Sequence, residues 1–205
     1  MARSFVSDAD PLAIGSRAQG HYGPASTGVV FAETTFATAW NVQGDSARPA
    51  FPAEVRRQFD ITLPTTPNTA ATTDALTALW LGPKSWLVVA GAAPLTEFGQ
   101  RRDALNAAGG ALFDLSASRV AWTISGEAAT TVLAKGCPLD FHPRAFAEGA
   151  CAQSVLGHVN ALFYKRSEAP EIVLMVARSF ARDIWHALCV SAAQYGFDVM
   201  SPRHF

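Results

Sequence analysis

The chain has 205 residues, of which 49% are apolar and only 16% charged, with a formal net charge of −1. Near-neutrality excludes the basic field that nucleic acid or an anionic membrane would need, and no apolar run reaches the roughly 18 residues that span a bilayer. The three cysteines are far apart and odd in number, which fits a reduced, cytoplasmic chain better than a disulfide framework.

Asp8 and Asp10 near the start, with no apolar stretch beside them, argue against a secretory leader. The apolar excess leaves two readings open, a large core alone or a core together with a subunit interface.

In chain order, residues 1–27 are rich in Gly, Ser and Ala and are punctuated by Gly20, Gly23 and Pro24. Residues 28–33 and 35–42 read as strands, 43–52 as a loop around Pro49 and Pro52, and 54–59 as one or two helical turns. Leu63-Pro64-Thr65-Thr66-Pro67-Asn68-Thr69 suits either an arm laid on a partner or a loop packed on its own domain.

From residue 75 the pattern tightens. Strands at 78–81 and 86–90 flank the turn Gly82-Pro83-Lys84-Ser85. Pro94 suits the first turn of a helix on which Leu95, Phe98, Leu105 and Ala108 share a face, closed by Gly109-Gly110. Strands follow at 111–115 and 119–125. A helix is expected from Gly126, with Ser125 as its N-cap and Glu127 near the positive end. After a loop at 136–148, strands at 151–156 and 158–164 meet at Gly157, and the nearly pure apolar run 171–176 reads as a central strand. The strongest helix covers 180–194, where Phe180, Ile184 and Leu188 recur and Trp185, Ala192 and Tyr195 widen the stripe. Gly196 ends it, and 197–200 reads as a last strand.

Helices therefore alternate with strand pairs. That predicts an α+β fold of ferredoxin-like split β-α-β units with antiparallel or mixed sheets. Residues 1–74 are expected to form N-terminal strands and an extended arm, and 75–205 the α+β domain, the two making one integrated unit.

Several short segments carry a family resemblance. Asp114-Leu115-Ser116-Ala117-Ser118-Arg119, followed by Val120 to Ala129, resembles a segment of the aminomethyltransferase (glycine-cleavage T-protein) superfamily. Leu79-Trp80-Leu81-Gly82-Pro83-Lys84-Ser85-Trp86-Leu87-Val88 resembles the "L-x-L-G-P-x-x-W-L-(L/V)" of the gamma subunits of heterotetrameric sarcosine oxidases. Leu133 to Asp140 matches "L-x-x-G-x-P-x-D", Phe146 to Gly149 matches "F-x-x-G", and Arg178-Ser179-Phe180-Ala181 with Trp185 and Leu188 is similar to "R-S-F-A-x-x-(L/I)-W-x-x-L". No one of these is specific, but their shared order is.

The resemblance implies a T-protein-like, folate-binding-domain fold and a non-catalytic, structural gamma subunit. The complex would use flavin to demethylate sarcosine to glycine and pass the one-carbon unit to tetrahydrofolate. It implies alpha, beta and delta partner subunits, with FAD, FMN, NAD, zinc and tetrahydrofolate carried on those subunits and none on this chain. The alternative is a standalone folate-binding, aminomethyltransferase-like protein. The carboxylate segment that positions folate in T-proteins has no equivalent here, since Asp103 falls on a helix and Asp114 at a strand end.

The remaining chemistry is sparse. Cys137 and His142 are the only close Cys/His pair, short of the four ligands a structural zinc needs. No G-x-S-x-G elbow, G-x-G-x-x-G or P-loop occurs. Arg119 can pair with Asp114 or reach a partner, and Arg178 can sit at a subunit surface. Of the tryptophans, Trp80, Trp86, Trp122 and Trp185 pattern as core. Arg119, Arg178 and Trp40 are the candidate partner-interface residues. Phe31, Phe36, Trp40, Phe51 and Phe59, on a segment with many breakers, gain most by burial against something larger, and with the resemblance part of this segment is expected to lie against the flavin-bearing subunit.

Overall fold

A computed structural model describes residues 19–167 and 169–205. The elements are β1 (Gly20–Tyr22), β2 (Val29–Thr35), β3 (Thr38–Gln43), α1 (Ala50–Phe59), β4 (Ala70–Thr72), β5 (Leu76–Gly82), β6 (Ser85–Ala90), α2 (Phe98–Ala107), β7 (Ala111–Asp114), β8 (Arg119–Ser125), α3 (Ala129–Ala134), β9 (Cys151–Leu156), β10 (Val159–Ser167), β11 (Glu171–Ala177), α4 (Ala181–Ala192) and β12 (Phe197–His204). They form two sheets, a seven-stranded one ordered β1-β12-β2-β8-β11-β10-β9 and a five-stranded one ordered β4-β5-β6-β3-β7. The described residues divide into two compact units, one of residues 19–35, 120–148 and 153–203, the other of residues 36–119, 149–152 and 204–205. In the second, residues on both sides of position 74, among them Trp40, Phe51 and Trp86, share one core.

In the five-stranded unit every neighbouring pair of strands is antiparallel. β6 and β7 both run against β3, which lies between them, and α2 joins them. This is a split β-α-β unit, as the strand–helix order predicts. Side chains alternate along each strand, so Trp40, Val42, Ala78, Trp86, Val88 and Leu112 share one face. They pack with Phe51, Val55 and Phe59 of α1 and Leu105 of α2. The helices meet that face through its aromatic residues, Trp40 packing edge-on against Phe59 and Trp86 against Phe51.

Two helix starts differ from expectation here. α1 begins at Ala50, so Pro52 lies in its first turn, where the N–H it lacks would have no helical partner. α2 begins at Phe98, not at Pro94, because Glu97 takes a left-handed backbone (φ 61) and Leu95 donates its N–H to Thr38 Oγ1 at 2.9 Å. That bond holds the segment ahead of the helix against β3.

The Thr/Pro stretch packs on its own domain. Ile61 and Leu63 are buried, Pro64 accepts the Trp86 indole N–H at 2.7 Å, and Thr69 accepts the Trp80 N–H at 3.1 Å. Phe51, Phe59, Trp40 and Phe31 are likewise core residues, 0 to 5% exposed. These four are buried within this chain, whereas Phe36 is half-buried. The part of the N-terminal arm before residue 19 lies outside the described residues.

In the seven-stranded unit β10 and β11 form an antiparallel hairpin, with Phe163 opposite Leu174 and a register shift between Lys165 and Ser167. β11, inside the sheet as expected, leads through α4 to β12, which re-enters the sheet with β8 and β2 between them. Phe31 and Glu33 of β2 face Ile124 and Trp122 of β8 across the ladder. Trp185 of α4 closes over that face, 5.5 Å from the Phe31 ring and 6.3 Å from Trp122.

At the exit of α4 the Lys135 ammonium donates to the Ser191 carbonyl at 2.5 Å, and the turn beyond is closed by backbone. Gly196 has φ +66, and a Cβ there would sit 1.9 Å from the Ser26 carbonyl. Its own carbonyl accepts from Gly28 and Val29 at 3.0 and 3.2 Å. α3 starts at Ala129 rather than Gly126. Ser125 does not cap it, since Ser125 remains in β8 opposite Val30 and Gly126 turns at φ +101.

Candidate functional site

The Asp114-to-Arg119 segment is a corner between β7 and β8 with a short 3-10 turn over Ser116–Ser118. Its polar groups are spent on the backbone. Asp114 Oδ1 accepts from the Ser116 N–H at 2.9 Å and from its hydroxyl at 2.6 Å. The Ser116 oxygen in turn accepts the Ala39 N–H at 2.9 Å, and the Leu115 N–H donates to the Ala39 carbonyl at 2.8 Å. Ser118 closes the turn onto the Leu115 carbonyl at 2.9 Å. The corner thereby pins the end of β7 and the turn after it to β3. A small polar residue is needed at 116 because its one oxygen both donates and accepts.

The three candidate interface residues are not brought together. Arg119 is half-buried and forms no ion pair with Asp114 among the described residues, the carboxylate being engaged by Ser116. Burial without a compensating partner holds the Arg119 guanidinium pKa below its usual value. Arg178 lies in the 3-10 turn ahead of α4, and its charge acts on Glu33. Burial pushes the Glu33 carboxyl up, and Arg178 opposes that. Trp40 is 3% exposed and packs edge-on against Phe59 and Phe98 at 6.2 and 5.1 Å. Within this chain the helical layer over β3 covers its ring.

Cys137, Cys151 and Cys189 are buried free thiols. Burial raises Cys151 to about 11 and Cys189 to about 12, so both stay protonated at neutral pH. Cys151 donates weakly to the Thr69 carbonyl at 3.3 Å. His142 is tied up locally, its Nδ1 accepting the Arg144 N–H at 3.2 Å. Among the described residues no three His, Cys, Asp or Glu side chains come together in a way that could hold a metal ion. Nor, among the described residues, is any helix long and apolar enough to cross a membrane.

Two features escaped the sequence. His21 and Asp198 lie 177 positions apart yet make a 2.7 Å contact; only the pairing of the first and last strands brings them together. Trp122 is fully buried, as its alternation predicts, but its indole N–H has no acceptor among the described residues. No residue pattern signals a missing partner.

A family model described as "Sarcosine oxidase, gamma subunit family" matches residues 43–194. The sarcosine oxidase subunit gamma of Corynebacterium sp. (strain P-1) is 34% identical over 128 residues, 62% of this chain and 61% of that protein. The subunit gamma of Arthrobacter sp is 35% identical over 105 residues, 51% of each chain. The matched stretch thus spans between half and two thirds of these relatives' lengths.

Among solved structures, a chain of the heterotetrameric sarcosine oxidase from Corynebacterium sp. U-96 in complex with pyrrole 2-carboxylate superposes with a TM-score of 0.73 at 24% identity, covering 90% of this chain and 92% of that one. The glycine cleavage system aminomethyltransferase T from Bartonella henselae superposes with a TM-score of 0.54 at 12% identity, covering 87% of this chain and 48% of that one. At these identities the superpositions establish the fold, which is T-protein-like. The family match covers most of the chain, including the Asp114 corner, the β5–β6 hairpin and α4: this chain belongs to the sarcosine oxidase gamma subunit family.

Proposed function

We propose that the chain is the structural gamma subunit of a heterotetrameric sarcosine oxidase, assembled in the cytoplasm with alpha, beta and delta subunits. In this reading the partner subunits carry FAD, FMN, NAD, zinc and tetrahydrofolate, and the complex converts sarcosine to glycine with transfer of the one-carbon unit. The observation that carries it is the Asp114 corner. The polar residues of the family-like motif are committed to holding the corner after β7 onto β3, which is a scaffold's use of a serine and a carboxylate. Arg119, half-buried and without an acceptor of its own among the described residues, supports a contact with a partner carboxylate, and we assign Arg178 to the same kind of surface.

Co-expression with the flavoprotein subunits tests this. A stable complex on size-exclusion chromatography, and a colourless chain when it is made alone, are the expected results. A chain that is yellow when expressed by itself, or that never co-elutes with those subunits, would overturn the reading. The standalone aminomethyltransferase is not favoured, since the likeness to a T-protein covers 48% of that chain at 12% identity.

A further inference from the structure

β1 is three residues long and forms one edge of the seven-stranded sheet, paired with β12. A strand this short is at the lower limit for an edge, so side chains must help to hold it. Tyr22 does so by stacking on Phe197, with ring centroids 5.1 Å apart and planes 11° from parallel. His21 does so in another way.

Its Nδ1 lies 2.7 Å from Asp198 Oδ1, on the residue directly opposite it in the ladder. Its Nε2 faces the Pro24 carbonyl. Both neighbours can only accept. A neutral imidazole carries a single N–H, so it would point a lone pair at one of them; the imidazolium donates to both. Thr27 donates to the second Asp198 oxygen at 3.0 Å, which fixes the carboxylate. Among the described residues Asp198 is the charged group that faces the ring from β12, and the loop contributes only Thr27 and the Pro24 carbonyl. That loop is also the one whose Ser26 and Gly28 backbones lie against Gly196.

We propose that His21 is a protonation latch: as an imidazolium it ties β1 to β12 and to the loop at residues 23–28, and loss of its proton gives up one of the two bonds and loosens this edge of the sheet. The sign follows from the contacts. The bonds to Asp198 and then to the Pro24 carbonyl raise His21 above 6.5 in the folded chain. The latch is therefore fully closed below the unfolded value and opens as pH rises through the folded one.

Hydrogen–deuterium exchange of the full chain, read by mass spectrometry on peptides covering residues 19–28 and corrected for intrinsic exchange, tests it between about pH 6 and about pH 9. Protection of these residues is expected to fall with rising pH, about tenfold for each unit separating the folded and unfolded titrations. His21→Gln is expected to remove the pH dependence, and Asp198→Asn to move it to lower pH. The β10–β11 hairpin serves as the internal control and should not change. Flat protection in the parent chain, or the same pH dependence in His21→Gln, overturns the proposal.

Discussion

The two units repeat one plan and stabilise it differently. In each, a hairpin leads through a helix to a strand that re-enters the sheet at a distance: β5–β6, α2 and β7 in one, β10–β11, α4 and β12 in the other. One strand separates the ends of that step in the five-stranded sheet, and two do so in the seven-stranded sheet. The five-stranded unit closes with side chains. Ser116 bridges Asp114 to β3, Thr38 holds the lead into α2, and the Trp86 indole finds the Pro64 carbonyl. The seven-stranded unit closes the turn after α4 chiefly with main chain, through Gly196 and Gly28, beside the Lys135 bond to the Ser191 carbonyl, and the Trp122 N–H has no acceptor among the described residues. Tolerance to substitution should therefore lie in different places in the two units, at backbone positions in one and at polar side chains in the other.

The largest test of this contrast is Gly196→Ala. A methyl group there meets the Ser26 carbonyl at 1.9 Å on a backbone of φ +66, so the whole loop must move. We expect a loss of about 3–5 kcal/mol or failure to fold, read from denaturant midpoints. Gly82→Ala in the other unit is the control, because a Cβ there meets nothing within 4 Å; its midpoint should hardly change. Equal effects at the two glycines would break the comparison.

The buried tryptophans sharpen it. Both are 0% exposed, so truncation of either to Ala should cost about 3–5 kcal/mol. Replacement by Phe separates them. Trp86→Phe strands the Pro64 carbonyl as well as shrinking the ring, whereas Trp122→Phe removes an N–H that has no acceptor among the described residues. The Trp86 variant should be the less stable by about 1–2 kcal/mol. Equal losses would mean that the Trp122 N–H is satisfied in solution.

Ser116→Ala is expected to cost about 1–2 kcal/mol, since it leaves the Ala39 N–H without its acceptor. Ser116→Thr keeps the hydroxyl and should recover part of that loss. A thermal melt of each, beside Asp114→Asn, orders the three.

The smallest expected effect concerns Glu33. Burial raises its carboxyl above the ordinary 4.5. A group raised on folding contributes stability below its unfolded value, and that contribution is lost as pH rises through the folded value. Glu33→Gln should therefore flatten the stability–pH curve just above 4.5 and leave the variant no less stable than the parent near neutrality. A variant that is weaker at neutral pH would show the carboxylate to be well paired with Arg178.

Most of the strands and the family were legible in the residues. β8, β9 and the start of β11 fall where alternation and apolar runs put them, because the period of two survives whichever element packs on the sheet. The helix starts did not, as with α2 and α3, because a left-handed Glu97 and a turning Gly126 are set by what the neighbouring strands accept and donate. Arg119 and Asp114 looked like an ion pair because they are close in sequence; the carboxylate instead took the nearer serine. Trp40 and Phe51, on a segment that read as an arm, are buried within this chain.

By itself the sequence determined the α+β class, the split β-α-β order, the gamma subunit family and a chain whose charge suits neither nucleic acid nor membrane. These depend on local periodicity and on short motifs whose residues are near neighbours. Only the tertiary structure decided that residues 36–119 gather with 149–152 into one unit, that His21 meets Asp198, and that Pro64 serves Trp86. Each of these joins groups far apart in the chain, and the physical reason is common to all. A buried or half-buried polar atom takes whichever partner the sheet order brings within hydrogen-bond reach, and strand order across a sheet is not written in the periodicity of any one strand.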